Sequence, residues 1–147
     1  MPTRLNPYLN FRAETRDAMN FYKSVFGGEL TISTFGEYGM SEDPAEKDKI
    51  MHAQLEAPDG LVLMGADTPA GMEFSRGTDI SVSLSGDDET QLRGFWDKLS
   101  DGATIVEPLE KAPWGDSFGM LNDRYGVKWL VNIAGGQGAG GGGAASQ

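Results

Sequence analysis

His52, Gln54 and Glu56 stand two apart within Ile50–Glu56, so on an extended strand all three side chains project to one face. An imidazole, an amide oxygen and a carboxylate are donor types that hold Mg, Mn, Fe, Ni or Zn. Successive side chains on such a face lie ~6–7 Å apart, given a rise of ~3.3 Å per residue. Two neighbours could share an ion, whereas a third would need a large bend. His52 is the only histidine in the chain, and its imidazole could also carry a proton near neutrality or serve as a hydrogen-bonded structural group. The structural role is preferred, with His52 retained as a pocket residue. A second group is Trp114-Gly115-Asp116. The indole could stack on a planar or cationic ligand while Asp116 neutralises positive charge; equally, Trp114 could pack over a sheet edge. The chain has no cysteine, which removes thiolate metal sites, disulfides and a cysteine nucleophile. No Ser-His-acid triad is assigned, because spatial adjacency is not written in the sequence.

These residues need elements to position them. A short strand is expected at Tyr8–Arg12, followed by a helix from Glu14 to Phe26 whose Ala18, Phe21, Tyr22, Val25 and Phe26 form one apolar stripe. Gly27-Gly28 closes it, since glycine takes left-handed geometry without a Cβ clash. Leu30–Phe35 alternates as a strand. Gly36–Lys49 is a polar, acidic loop in which Glu42-Asp43 and Glu46-Lys47-Asp48 form a solvated run, or else a lid or dimer arm. Strands at Ile50–Glu56 and Leu61–Met64 flank the turn Ala57-Pro58-Asp59-Gly60. Thr68–Thr78 reads as a linker. The plan then repeats: a strand at Asp79–Ser85, a helix at Asp87–Leu99 capped by Asp87 or Asp88, and a strand near Ala103–Val106. After a Pro- and Gly-containing stretch at Pro108–Gly115, two last strands, Ser117–Asn122 and Val127–Ile133, flank Asp123–Gly126.

The repetition is also visible residue by residue. Phe21-Tyr22 matches Phe95-Trp96, and at the same spacing Val25 matches Leu99 and Gly28 matches Gly102. The turn at Asp59-Gly60 matches the one at Tyr125-Gly126, with the Gly36–Lys49 loop absorbing the difference in length. The expected fold is α+β: two βαβββ modules, about residues 5–67 and 78–134 of one domain spanning 1–134, forming a curved, cup-shaped mixed sheet with the helices outside. Tyr8 and Trp129 lie on strands that would face the cup or fill the core. Met51, Met64 and Met120 would line an adaptable apolar pocket or fill the core. Residues 135–147, all Gly, Ala, Ser or Gln, cannot bury enough apolar area to offset their ordering entropy and are expected to form a flexible tail.

Composition narrows the partners. With 12 Lys+Arg against 22 Asp+Glu, the net charge of −10 opposes the phosphate backbone, so no nucleic-acid partner is expected. No apolar run approaches the ~20 residues that span a bilayer, and MPTRLNPYLN lacks the apolar core of a signal peptide. A cytoplasmic protein with no membrane partner is therefore expected.

Pro7-Tyr8-Leu9-Asn10-Phe11, then Ala18–Glu29, Ile50–Ala53, Leu63-Met64, Trp114-Gly115 with Phe118-Gly119, and Asp123–Trp129 before Asn132 together resemble the PhnB-like proteins of the vicinal-oxygen-chelate superfamily (glyoxalase, bleomycin resistance, dioxygenase). The resemblance spans Tyr8 to Ile133. It implies paired βαβββ modules, a homodimer and a cup-shaped site for a small molecule. Metal-dependent relatives hold their ion with His, Gln and Glu from the first and last strands of each module. Here the first such position falls at or beside Pro7, Leu61–Met64 has no carboxylate, Ile80–Ser83 no histidine and Trp129–Asn132 no Glu. The expectation is therefore a small-molecule binder with no cofactor and no bound metal, using Tyr8, His52, Met64, Trp114, Asp116 and Trp129 for its ligand. The alternative is a metal-dependent lyase, isomerase or dioxygenase with displaced ligands, His52 among them.

Overall fold

The computed structural model describes residues 3–39, 44, 46–69, 71–77 and 79–135. Residues 40–43 and 45 of the acidic loop, and the expected tail from 136 onward, lie outside them. The chain divides into two compact units, Met1–Arg76 and Gly77–Gln147, with the boundary inside the expected linker.

The first unit runs β1 (Tyr8–Phe11), α1 (Thr15–Phe26), β2 (Glu29–Thr34), β3 (Ile50–Glu56) and β4 (Val62–Asp67). Its mixed sheet has the order β1-β4-β3-β2: β1 runs parallel to β4, and the other pairs are antiparallel. The second unit repeats this with β5 (Val82–Gly86), α2 (Glu89–Leu99), β6 (Thr104–Lys111), β7 (Ser117–Asn122) and β8 (Lys128–Ile133), in the order β5-β8-β7-β6. Each unit is thus the expected βαβββ module.

Helix stripes decide which face of each sheet is buried. Ala18, Met19, Tyr22 and Val25 of α1 are buried. A Cβ on Gly65 of β4 would come tight, at 3.1 Å, against the Leu9 carbonyl of β1, with the Met19 sulfur of α1 in ordinary contact at 3.5 Å. Ala53, paired with Gly65, and Leu55, paired with Leu63, complete this face. In the second unit Leu92, Trp96 and Leu99 are buried. Trp96 sits on Gly119, where a Cβ would come within 2.8 Å of the indole. Asp88 is the residue that caps α2, accepting from the Gln91 N–H at 3.0 Å, as an N-cap carboxylate should. Gly28, at φ +97, is required for two reasons: its conformation and the Glu56 carbonyl that a Cβ would strike.

Several expectations shift. β5 starts at Val82 and not at Asp79, and on the helices Phe21, Phe26 and Phe95 of the expected stripes stay half-buried while Met19, outside them, is fully buried. The Gly36–Lys49 loop opens with a single 3-10 turn, Gly36–Tyr38. β4 extends three residues beyond Met64, because Gly65, Ala66 and Asp67 pair with Leu9, Asn10 and Phe11 of β1, a partner that local pattern does not reveal. β6 runs on through Pro108 to Lys111, because it is an edge strand with register shifts on both sides of Glu107, the setting in which proline does no harm to a sheet.

Buried carboxylates tie the strand ends. Asp67 accepts from the Thr15 N–H at 3.0 Å and the Ile50 N–H at 2.9 Å, pinning the start of α1 and of β3 to the end of β4. Asp123 accepts from the Tyr125 and Val127 N–H groups at 2.8 and 3.0 Å and from the Trp129 indole at 2.8 Å. That single side chain shapes the β7–β8 turn and anchors the core indole. Asp123→Ala strands buried donors and is expected to cost roughly 2–4 kcal/mol; a urea midpoint unchanged from wild type, followed by tryptophan fluorescence, would refute this account of the turn.

Candidate functional site

On the face of the first sheet turned away from α1, strand alternation and register place Tyr8 and Asn10 of β1, Met64 and Ala66 of β4, His52 and Gln54 of β3, and Thr31 and Ser33 of β2. Tyr8 pairs with Met64, which pairs in turn with Gln54. From this row the phenol reaches diagonally to the histidine: Tyr8 Oη lies 3.3 Å from His52 Nδ1, with ring centroids 5.8 Å apart and tilted by 39°. In the tautomer whose proton is on Nε2, the phenol donates to Nδ1 and Nε2–H is left as a donor toward a ligand. The expected site residues Tyr8, His52 and Met64 are therefore neighbours. Tyr8 remains 45% exposed, within reach of a ligand from solvent.

The metal arrangement weighed for His52, Gln54 and Glu56 does not form. Gln54 donates its amide to Glu56 at 2.6 Å, while His52 turns to Tyr8. Among the described residues no three His, Cys, Asp or Glu side chains gather as a metal-holding group. The positions used by metal-dependent relatives fit no better. The carbonyl of Pro7 accepts from the Met64 N–H at 3.1 Å, Ser83 pairs with Leu130, and the final strand presents Asn132. This donor set does not suit a divalent ion.

The remaining three expected residues belong to the second unit, and the structure separates them. Trp114 is 55% exposed, its ring 6.4 Å from that of Phe118. Asp116 is 1% exposed and is turned inward: Oδ2 accepts from the Asn132 amide at 3.1 Å and Oδ1 from the Gly135 N–H at 2.9 Å. It clamps the turn after β6 to the end of β8, and so it is not presented to a ligand's positive charge. The turn itself closes through the Ala112 N–H to the Asp116 carbonyl at 2.6 Å and passes through Gly115 at φ +105. Trp129 is 1% exposed and pairs with Leu121 and Val82 on the α2 side of the sheet. Of its two expected places it takes the core. The face turned away from α2 carries instead Ser83 and Ser85, Leu130 and Asn132, and Met120 and Phe118. Sequence reasoning passed over Asn132 and Phe118 as site residues. The available signal was alternation along Trp129-Leu130-Val131-Asn132, which sets the asparagine opposite in facing to Trp129 and Val131.

Burial pushes the Tyr8 phenol above its ordinary value of 10.0. The folded chain thus holds this proton more tightly than the unfolded chain. The resulting stabilisation is complete below the ordinary phenol value and is lost as pH rises through the folded one. Titration of the Tyr8 ring carbon by NMR, assigned with Tyr8→Phe, should give a midpoint above 10.0; a midpoint at or below it would refute the burial.

Comparison with known proteins agrees with this architecture. The family described as 3-demethylubiquinone-9 3-methyltransferase matches residues 3–132. The crystal structure of protein PA1353 from Pseudomonas aeruginosa is 34% identical, with a TM-score of 0.79 over 91% of this chain and 99% of that one. A PhnB protein from Bacillus cereus is 26% identical, with a TM-score of 0.72 over 90% of this chain and all (100%) of that one. At 18% identity and a TM-score of 0.59, a glyoxylase/bleomycin resistance protein/dioxygenase domain from Frankia sp. EAN1pec shares the fold over 91% of this chain and 98% of its own. The chain belongs to the PhnB-like 3-demethylubiquinone-9 3-methyltransferase family, built on the glyoxalase/bleomycin-resistance/dioxygenase fold.

Proposed function

We propose that this protein binds a small organic molecule without a divalent metal, using Tyr8, His52 and Met64 on the first sheet and Trp114 at the rim of the second. The observation that carries the reading is the Tyr8–His52 pair, at 3.3 Å, on the sheet face turned away from α1. A phenol spent on packing is enclosed between helix and sheet, as that of Tyr22 on α1 is. Here both polar tips lie beside Met64 on a partly exposed surface, which suits a ligand with an apolar body and one or two polar groups. The methyltransferase in the family's description receives no support from the strand-to-helix turns. Arg12-Ala13-Glu14, between β1 and α1, has no glycine, whereas a nucleotide-like cofactor is commonly held by a glycine-rich turn at that place.

The proposal extends to a homodimer in a reducing cytoplasm. β6 is an edge strand with Ile105 and Val106 43% and 51% exposed, and such an edge is commonly covered by a partner strand or blunted. A second copy would cover it. Light scattering at micromolar concentration is expected to give twice the chain mass, and a monomer mass would count against the pairing.

The binding proposal is tested by screening small aromatic and carbonyl compounds against isotope-labelled protein by NMR, with elemental mass spectrometry of the dialysed sample in parallel. Hits are expected to move the Tyr8 and His52 signals, and His52→Ala to weaken them roughly fivefold, the worth of one hydrogen bond. Binding indifferent to His52→Ala would remove that residue from the site. A stoichiometric Zn, Ni, Mn or Fe ion surviving dialysis would overturn the metal-free reading in favour of a metal-dependent lyase, isomerase or dioxygenase.

A further inference from the structure

Asn132 is 3% exposed, and its Oδ1 is buried with no hydrogen-bond partner among the described residues. Its amide orientation is not arbitrary. A carboxylate only accepts, so the Asn132 Nδ2 must face Asp116, and Oδ1 must point away from it. Donation from Nδ2 to the carboxylate also draws electron density toward Oδ1 and makes it a stronger acceptor. A buried amide oxygen left unmet is costly and uncommon in folded proteins. A strut for Asp116 needs only the N–H half of the amide, so that role leaves the oxygen unexplained.

The surroundings indicate what would meet it. Register places Phe118 directly beside Asn132 on β7 and the exposed Ser85 on its other side on β5. Phe118 is half-buried, and its ring centroid is 6.4 Å from that of the exposed Trp114. Trp114 is 55% exposed, so its ring is open to a flat molecule from solvent. We infer that Asn132 Oδ1 is the acceptor for a ring N–H of a planar ligand stacked against Phe118 and Trp114, a neutral heteroaromatic, lactam or amide, with Asp116 as the residue that positions the amide. An anion would meet an acceptor oxygen backed by a carboxylate and is disfavoured. A purely apolar ring would leave the oxygen unmet. This inference rests on the reading of the protein as a small-molecule binder and names the class of ligand for its second unit.

The test compares indole with 1-methylindole, which keeps the ring and lacks the N–H. Both are titrated into labelled wild-type protein while the Trp114 indole and Asn132 side-chain amide signals are followed. Indole is expected to move both signals and to bind about tenfold more tightly than 1-methylindole, the factor set by one buried N–H···O bond. Asn132→Leu should erase that preference. Trp114→Ala, at an exposed position that leaves the core intact, should weaken both probes alike and keep the preference. Equal affinity of the two probes for wild type, a preference retained in Asn132→Leu, or no response of Trp114 and Asn132 to indole each overturns the inference. If indole moves only Tyr8 and His52, the binding reading stands and this site falls. If the broader screen also finds no binder, both fall.

Discussion

A four-stranded sheet has two faces, and a single helix of eleven or twelve residues covers only one of them. Everything else in these units follows from that constraint. The covered face must be apolar and close-packed, which sets Tyr22 over the first sheet and Trp96 against Gly119 in the second. The other face has no helix from its own unit to exclude water. Its side chains are therefore free of the demand for apolar packing, and chemistry accumulates there: Tyr8, His52 and Gln54 in one unit, Asn132, Phe118 and Ser85 in the other. Strand alternation keeps the two sets apart. A residue moved by one position would exchange core for site.

In a chain of net charge −10, the buried acids carry much of the architecture. Asp67, Asp116 and Asp123 are all under a tenth exposed, and each accepts at least one backbone N–H at the end of a strand or within a turn. Carboxylates are tolerated there because backbone and side-chain donors replace the water they lose. The consequence for function is indirect. Asp116 resembles a candidate ligand contact by sequence position, yet its oxygens are occupied in holding Asn132 and Gly135. What is left to accept a hydrogen bond is Oδ1 of the buried amide that it orients.

The two units share a plan and differ in chemistry. Equivalent register positions carry Gln54 and Met120, Met64 and Leu130, and Ala66 and Asn132. The first unit's uncovered face is rich in polar groups that can donate or accept. The second sets Met120, Leu130 and Phe118 around one amide, with the hydroxyls of Ser83 and Ser85 along β5. A repeated fold thus offers two surfaces of different character, with core residues constrained in both and the uncovered faces free to diverge.

Much of this was legible in the sequence. The βαβββ repeat, most of the buried stripe of each helix, the glycine closing α1 and the capping Asp88 are local features, set by periodicities of two and of three to four residues and by backbone geometry that few residues can adopt. The adjacency of Tyr8 and His52 was not legible, because it depends on β1 pairing in parallel with β4 across more than fifty residues. The same non-local pairing lengthened β4, and the edge position of β6 carried that strand through Pro108. By itself the sequence determined which segments are strands and helices and which face of each is apolar. Only the tertiary structure decided the direction of the polar groups: Trp129 into the core, Asp116 onto Asn132, and Asn132 Oδ1 without a partner among the described residues. The physical reason is that a side chain's hydrogen-bond partner is a matter of distance in space. Strand register, which no local pattern encodes, sets that distance.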